Sequence, residues 1–313
     1  MPFLRFLPDT TDFNFVGWRY VAFAIDGLLL VASIVSIAVH GFNLGIDFTG
    51  GVLIEAKAAQ VIDIGKVREG VDSLGFNDAQ IQYFGGGQCD TPVNSCVLIR
   101  AQPSASQDGS AVEAAIRNKL GSAFTFRNAQ VIGPKVSGEL LHAGVLATVL
   151  AILGIAIWVA LRFEWQYGIA AAFATGHDVL VTAGLFSVLH LDFTLTSIAA
   201  LLTLAGYSIN DTVVVFDRIR ENRRKFKRMS LPDLINLSTN QMMTRTILTS
   251  VATAVSIIPL LLFGGPSLFD FSAAILFGIV VGTFSSIYVA AALLLYLPPL
   301  AGNTGTEVAE ANA

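Results

Sequence analysis

The sequence predicts a polytopic α-helical membrane protein with one α+β domain inserted between its first and second membrane helices. Three observations predict it. Of 313 residues, 54% are hydrophobic and only 13% charged; the mean hydropathy is +0.66; and the apolar residues gather in six runs interrupted by one long polar insert. A soluble domain cannot solvate that composition, so the bilayer is its expected solvent.

A spanning helix needs roughly 20 largely apolar residues. Residues 17–39, 141–161, 167–189, 193–216, 244–263 and 270–297 qualify. The first run is long enough to span and no small-residue cleavage site follows it, so it reads as a retained anchor rather than a secretion signal. Lys and Arg in short loops mark the cytoplasmic side. Arg218, Arg220, Arg223, Arg224, Lys225, Lys227 and Arg228 follow the fourth run, whereas the turns at 190–192 and 264–270 hold no Lys or Arg. The expected map is therefore a cytoplasmic N-terminus (1–16), the first helix (17–39), an outside domain (40–138), helices two to six (139–297) with a basic cytoplasmic loop at 217–243, and a cytoplasmic tail (298–313). Arg5, Arg19 and Arg162 then also fall at the inner face. The basic run reads as a topology determinant that also attracts anionic membrane lipids; no nucleic-acid partner is expected.

The insert alternates strand and helix signals: strand 52–58, helix 64–74, strand 79–84, strand 96–101, helix 109–120, strand 125–132. That β-α-β-β-α-β order is the ferredoxin-like arrangement. Cys89 and Cys96, the only cysteines, lie between its two middle strands among the turn formers Asp90, Thr91, Pro92 and Asn94. An oxidising exterior makes a disulfide the better reading and two unpaired thiols the other. Two ligands make a poor metal site, and none is expected.

Ionisable groups inside spanning helices cost at least about 2.5–3.5 kcal/mol on insertion scales and are functional candidates by default. Asp26, Asp178, Asp211 and Arg245 meet that description. Asp211 has Tyr207 and Ser208 one turn back, with Asn210 beside it. Arg245 opens the fifth run on a small, polar face through Thr249, Ala252, Thr253 and Ser256. Because consecutive helices meet at the inner face, Asp211 and Arg245 are expected to lie at similar depth and pair, either as a switch in which a proton displaces the guanidinium or as a static ion pair that sets helix register. Asp178 is expected to face the bundle interior. His177 beside it reads as a hydrogen-bonded structural residue, and Asp26 as a group satisfied by snorkelling or local pairing near Arg19. Glu139 and His142 read as interfacial. Gly278 and Gly282 form a GxxxG pair that permits close helix approach. No P-loop, nucleophilic triad or hydrolytic metal motif is present, and no enzymatic activity is expected.

Several segments resemble, in order, those of the SecF family (SecD/SecF, resistance-nodulation-division superfamily). They are Gly45-Ile-Asp-Phe-Thr-Gly-Gly51, Gly176-His-Asp178, Gly206-Tyr-Ser-Ile-Asn-Asp-Thr-Val-Val-Val-Phe-Asp-Arg-Ile-Arg-Glu-Asn222, Thr244-Arg-Thr246, Phe263-Gly-Gly265 and Gly282-Thr-Phe-Ser-Ser-Ile-Tyr288. The resemblance runs from about residue 14 to 297. It implies half of a resistance-nodulation-division bundle in the bacterial inner membrane, both termini cytoplasmic, with its sheet domain periplasmic and Asp47, Phe48, Gly50 and Gly51 at that domain's entrance. It implies SecD as the other half, the SecYEG channel and YajC as partners, and unfolded preprotein as substrate. It also implies that Asp211 and Arg245 conduct the coupling ion, H⁺ or Na⁺, with no other cofactor. Asp178 joins them as a candidate, and Ser208, Asn210 and Thr249 as polar support. Asp26 stands where the family is expected to have a small neutral residue, and the Cys89–Cys96 loop is not expected of the family as a whole. Two other readings are an ion-coupled exporter of lipids or small molecules on the same scaffold and a passive assembly subunit.

Overall fold

The computed structural model describes residues 11–76, 79–84, 89, 92–102, 109–264 and 266–298; Arg5, Asp90, Thr91, Gly265 and most of the tail expected at 298–313 lie outside the described residues. The first spanning helix, α1 (Arg19–His40), ends at Gly41, whose φ of +69° suits glycine. The chain then forms β1 (Asn43–Leu44) and a single turn, α2 (Ile46–Thr49), before the sheet domain: β2 (Gly51–Ala58), α3 (Ile64–Asp72), β3 (Gln80–Tyr83), β4 (Cys96–Ala101), α4 (Gly109–Leu120) and β5 (Phe124–Ile132).

Strand order is β3-β4-β2-β5 with every neighbour antiparallel, the ferredoxin-like topology expected. Alternate residues turn to one face of a strand. Val52, Ile54 and Ala56 of β2 and Val97, Ile99 and Ala101 of β4 are accordingly buried, against Val67 and Val71 of α3 and Val112 and Ile116 of α4. The four-residue spacing on each helix keeps both side chains on one face. A register shift in β2 at Glu55/Ala56 marks a bulge against β5.

Cys89 and Cys96 form a disulfide, both residues almost fully buried. With a sequence separation of 7, the closed loop removes roughly 2.5 kcal/mol of unfolded-state entropy. Replacing both by serine is expected to speed hydrogen exchange of the β3 and β4 amides by roughly 70-fold in the intact protein, read by mass spectrometry; unchanged protection would contradict that contribution.

The remaining spanning helices are α5 (Pro134–Arg162), α6 (Trp165–Val188), α7 (Leu195–Lys225), α8 (Leu231–Phe263) and α9 (Pro266–Ser285); α9 continues through a π-helical turn at Ser286–Ala290 into the short α10 (Ala291–Leu293). Among the described residues six helices, α1 included, are long and apolar enough to cross a membrane. A two-residue strand, β6 (Asp192–Phe193), lies between α6 and α7. Helices α6, α7 and α9 form the interior, while α1, α5 and α8 turn Val, Leu, Ile and Trp side chains outward, as a lipid-facing layer must. Glycines set the closest approaches. A Cβ on Gly184 would fall 2.3 Å from Ser33 of α1, and one on Gly278 would fall 2.4 Å from Leu204 of α7. The GxxxG pair on α9 is thus a packing face toward α7, where small residues let backbones approach.

The basic loop expected at 217–243 is a helical hairpin instead. Helix α7 runs on to Lys225 and α8 begins at Leu231, leaving 226–230 as the connection. Arg, Lys, Glu and Gln are good helix formers, so loss of apolar character does not end the helix. Buried Asn222 ties the two arms, donating to Ser238 Oγ at 2.9 Å and Gln241 Oε1 at 2.8 Å. Ser230 caps α8, its hydroxyl accepting from Asp233 N. Likewise α5 begins at Pro134, before the run read at 141–161, because proline at the first helical turn costs nothing. The segment 11–18 also packs on this end of α8, through Asn236 and Asn240. That segment and the basic hairpin share one end of the bundle, and the sheet domain joins the other.

Candidate functional site

A seam of polar side chains runs through the middle of the bundle. Asp178 of α6 is fully buried and gathers donors from three sides: Ser208 Oγ of α7 at 2.5 Å, Ser285 Oγ of α9 at 2.8 Å, and His177 Nδ1 at 3.0 Å. Gly282 makes room for this group, since a Cβ there would sit 3.3 Å from Asp178 Oδ2. Thr212 and Ser286 continue the seam at 2.9 Å, and Tyr207 hydroxyl, Ser250 and Thr283 link α7, α8 and α9 at 3.0 and 2.7 Å. The π-helical turn begins at Ser286, within the seam, where such turns re-aim side chains. Asp178 therefore faces inward as expected, but as the acceptor of a hydrogen-bonded hub.

Asp211 is 3% exposed and lies at the α7–α8 contact. Its Oδ1 receives Thr249 Oγ1 at the long distance of 3.5 Å, and its Oδ2 has no hydrogen-bond partner among the described residues. The ion pair expected with Arg245 is not formed: among the described residues no Asp211–Arg245 contact occurs within 4.0 Å. The reason is register. Thr249, not Arg245, stands level with Asp211, and Arg245 lies four residues earlier on α8, about 6 Å closer to the basic end. There it lines a cavity of about 470 Å³ with Arg162, Val213, Asp217, Arg218 and Glu221, and is exposed. Of the three polar residues expected to support Asp211, only Thr249 does. Ser208 serves Asp178, and Asn210 faces outward beside Gly206 and Ile209 in a surface pocket against α5. Asn210, one residue and about 100° away, points elsewhere, whereas Ser208, three residues back, has its hydroxyl engaged by Asp178 across the α6–α7 contact.

The Gly45–Gly51 segment shapes the junction between bundle and sheet domain. Gly45 N donates to Phe193 O at 2.8 Å, and β1 and β6 pair in parallel. Asp47 Oδ2 accepts the Leu195 amide at 2.8 Å, placing a carboxylate at the N-terminus of α7, where the helix dipole favours it. Phe48 is buried against Phe193 and Phe186. Gly50 (φ +73°) and Gly51 (φ +133°) make the reversal into β2, and a Cβ on Gly51 would press on Ala101 O at 2.9 Å. Beside them Arg100 of β4 grips Asp192 with both terminal nitrogens, Nη1 at 2.8 Å from Oδ1. Asp192 also receives Asn43 Nδ2 at 2.8 Å, and its amide donates to Asp270 Oδ2 of α9 at 3.0 Å. Sequence reasoning missed Arg100, Asp192 and Asp270. The available signal was one arginine inside the apolar strand Cys96–Ala101 and two acids in or beside turns lacking Lys and Arg.

Residues 112–299 match the family described as protein export membrane protein SecD/SecF, C-terminal, and residues 35–60 match the SecD/SecF GG motif. The protein translocase subunit SecF of Cereibacter sphaeroides is 40% identical over 322 residues, covering 99% of each chain. That of Rickettsia prowazekii is 36% identical over 291 residues, covering 93% of each. The chain belongs to the SecF family of protein translocase subunits. Among solved structures it is similar to SecDF, a translocon-associated membrane protein from Thermus thermophilus, with 35% identity and a TM-score of 0.81. A SecDF structure described as a super-membrane-facing form gives 0.67 at the same identity. The chain covers 39% of the first of these and 40% of the second, so it spans well under half of a SecDF chain. On this SecF-family member the GG motif is the α1-to-β2 junction, and the C-terminal region runs from α4 through the whole seam. Among the described residues no group of three or more His, Cys, Asp or Glu is arranged to hold a metal ion.

Proposed function

We propose that the chain is the SecF half of an export-assisting unit in the bacterial inner membrane, both termini cytoplasmic, in which a proton or sodium gradient drives movement of the periplasmic sheet domain on emerging preprotein. The observation that carries this reading is Asp211: a buried carboxylate in mid-bundle with one oxygen unpartnered and a guanidinium one helical turn away. An unclosed pair of this kind can exchange a cation. A second support is the outward face of α7 and α8. Thr203, Asn210 and Arg245 are exposed there, and polar groups facing hydrocarbon are costly. A partner bundle covering that face removes the cost, and SecD is the partner proposed. SecYEG and YajC, as further partners, follow from the family alone. The Arg100–Asp192–Asp270 junction supplies a rigid link from bundle to sheet domain.

One charge crossing 100 mV yields about 2.3 kcal/mol, enough to shift a two-state population roughly fifty-fold. Asp211→Asn is expected to leave the SecD complex assembled and to remove the gradient-dependent part of export in inverted membrane vesicles. Collapsing the proton and sodium gradients separately identifies the ion. Wild-type export by Asp211→Asn would refute the ion-driven reading, and loss of assembly would favour a scaffold. Purification as a self-sufficient oligomer without SecD would favour an exporter of lipids or small molecules.

A further inference from the structure

The bundle buries a second carboxylate that the Asp211 reading does not use. Asp26 of α1 is 4% exposed, and among the described residues neither of its carboxylate oxygens has a hydrogen-bond partner, so the snorkelling or local pairing expected of it does not occur. Next to it lies His177 of α6, whose Nε2 is 3.3 Å from the Asp26 carbonyl oxygen and whose Nδ1 is 3.0 Å from Asp178 Oδ1. Both ring nitrogens thus face acceptors, the arrangement an imidazolium satisfies, since only the charged ring donates from both. Asp178, already taking two hydroxyl donors, is its counter-ion. Asp26 has no hydrogen-bond donor of its own among the described residues.

The carboxyl lines a cavity of about 410 Å³ between α1, α6 and α10, together with His177, Phe173, Leu30, Val289 and Tyr296. Apart from Asp26, His177 and the tyrosine, that lining is apolar. The titratable groups near it are few. Helix α1 contributes Asp26, α6 contributes His177 and Asp178, and the turn after α10 contributes Tyr296, which accepts from Arg19 Nε at 3.2 Å toward the basic end. From α7 and α9 only the hydroxyls of Ser208 and Ser285 reach the cluster. An ionised carboxylate with no donor in such surroundings is costly, whereas the neutral acid leaves the His177–Asp178 pair as the only charges, summing to zero.

We propose that Asp26 is a second proton site of this protein, holding an exchangeable proton reached through the α1–α6–α10 cavity, separate from the α7–α8 contact. It requires nothing of Asp211. His177 and Asp178 extend from it into the seam, so a proton arriving at or leaving Asp26 changes the charge beside the hub that joins α6, α7 and α9.

The site can be read chemically, independent of transport. Dicyclohexylcarbodiimide is apolar and reacts with neutral carboxyl groups. The acid oxygen bonds to the central carbodiimide carbon, the acid proton passes to one nitrogen, and migration of the acyl group from that oxygen to the other nitrogen leaves a stable N-acylurea. In native membranes containing the assembled complex, peptide mapping is expected to find this adduct on Asp26. Over a pH range in which the protein stays folded, its yield should fall by about tenfold per pH unit once the group ionises. Asp26→Asn should remove the adduct and Asp211→Asn should retain it, which separates this site from the export reading. An unlabelled Asp26 across that range would overturn the proposal, as would a yield that does not change with pH.

Discussion

Arg100→Ala is expected to release the sheet domain from the bundle. The guanidinium makes two parallel bonds to Asp192, and the pair is 13% and 23% exposed at its side chains. Hydrogen bonds to charged groups contribute about 1.5–3 kcal/mol each, less where water reaches them, so a loss of roughly 2–4 kcal/mol in docking is expected. The variant also leaves Asp192 hydrogen-bonded through its amide to Asp270 with no cation between the two carboxylates. Spin labels at exposed Gln82 on β3 and Leu189 beyond α6 should report one narrow distance in the parent and a broad distribution in the variant. Exchanging the charges, Arg100→Asp with Asp192→Arg, should narrow it again. A single unchanged distance in Arg100→Ala would show that the backbone pairing of β1 with β6 suffices to hold the domain. The same release should follow addition of salt in part, because the pair is within reach of screening ions.

Asp178→Ala is expected to have the largest effect on the bundle itself. Three donors, Ser208, Ser285 and His177, would lose one shared acceptor at a point where α6, α7 and α9 meet. Hydrogen bonds between membrane helices average about 0.6 kcal/mol and reach about 1.7, so the two from Ser208 and Ser285 amount to roughly 1–3.5 kcal/mol. The imidazole would in addition lose its hydrogen-bonded partner at Nδ1. Asp178→Asn keeps an acceptor and the shape, and is expected to lose the smaller part. Thermal midpoints of the purified protein in detergent would measure both. An alanine variant as stable as its parent would mean that the seam is held by backbone packing at Gly278 and Gly282 rather than by the hub.

Much of the architecture is legible along the chain. Six apolar runs, one polar insert and a clustered basic segment specify how many helices span and where the α+β unit falls, because length and composition decide these locally. The ferredoxin-like order followed from alternating strand and helix periods. The helical hairpin from Lys225 to Leu231 was not legible as such. Apolar character stops near the inner end of the fourth run, whereas helix does not, and a reading keyed to hydropathy assigns charged helix to loop.

The candidate site divides in the same way. That Asp26, Asp178, Asp211 and Arg245 are candidates was visible from the cost of charge in hydrocarbon. Which of them touch was not. Asp211 and Arg245 differ in depth by about one helical turn, because a four-residue offset on α8 sets Thr249 against the carboxylate instead. Ser208 and Asp211, three residues apart, serve different partners. Arg100 and Asp192 are 92 residues apart and meet only because β4 is a central strand whose end overhangs the α6–α7 turn.

By itself, then, the sequence determined the solvent of each segment, the number of crossings and the short list of costly residues, since each depends on local composition and period. Only the tertiary structure decided that the acids separate into a hub at Asp178, a half-satisfied Asp211, an Asp26 without a hydrogen-bond partner among the described residues and a domain junction at Asp192. Those assignments depend on the rotation and axial offset of packed helices, which close glycine contacts set across the bundle and which no single segment encodes.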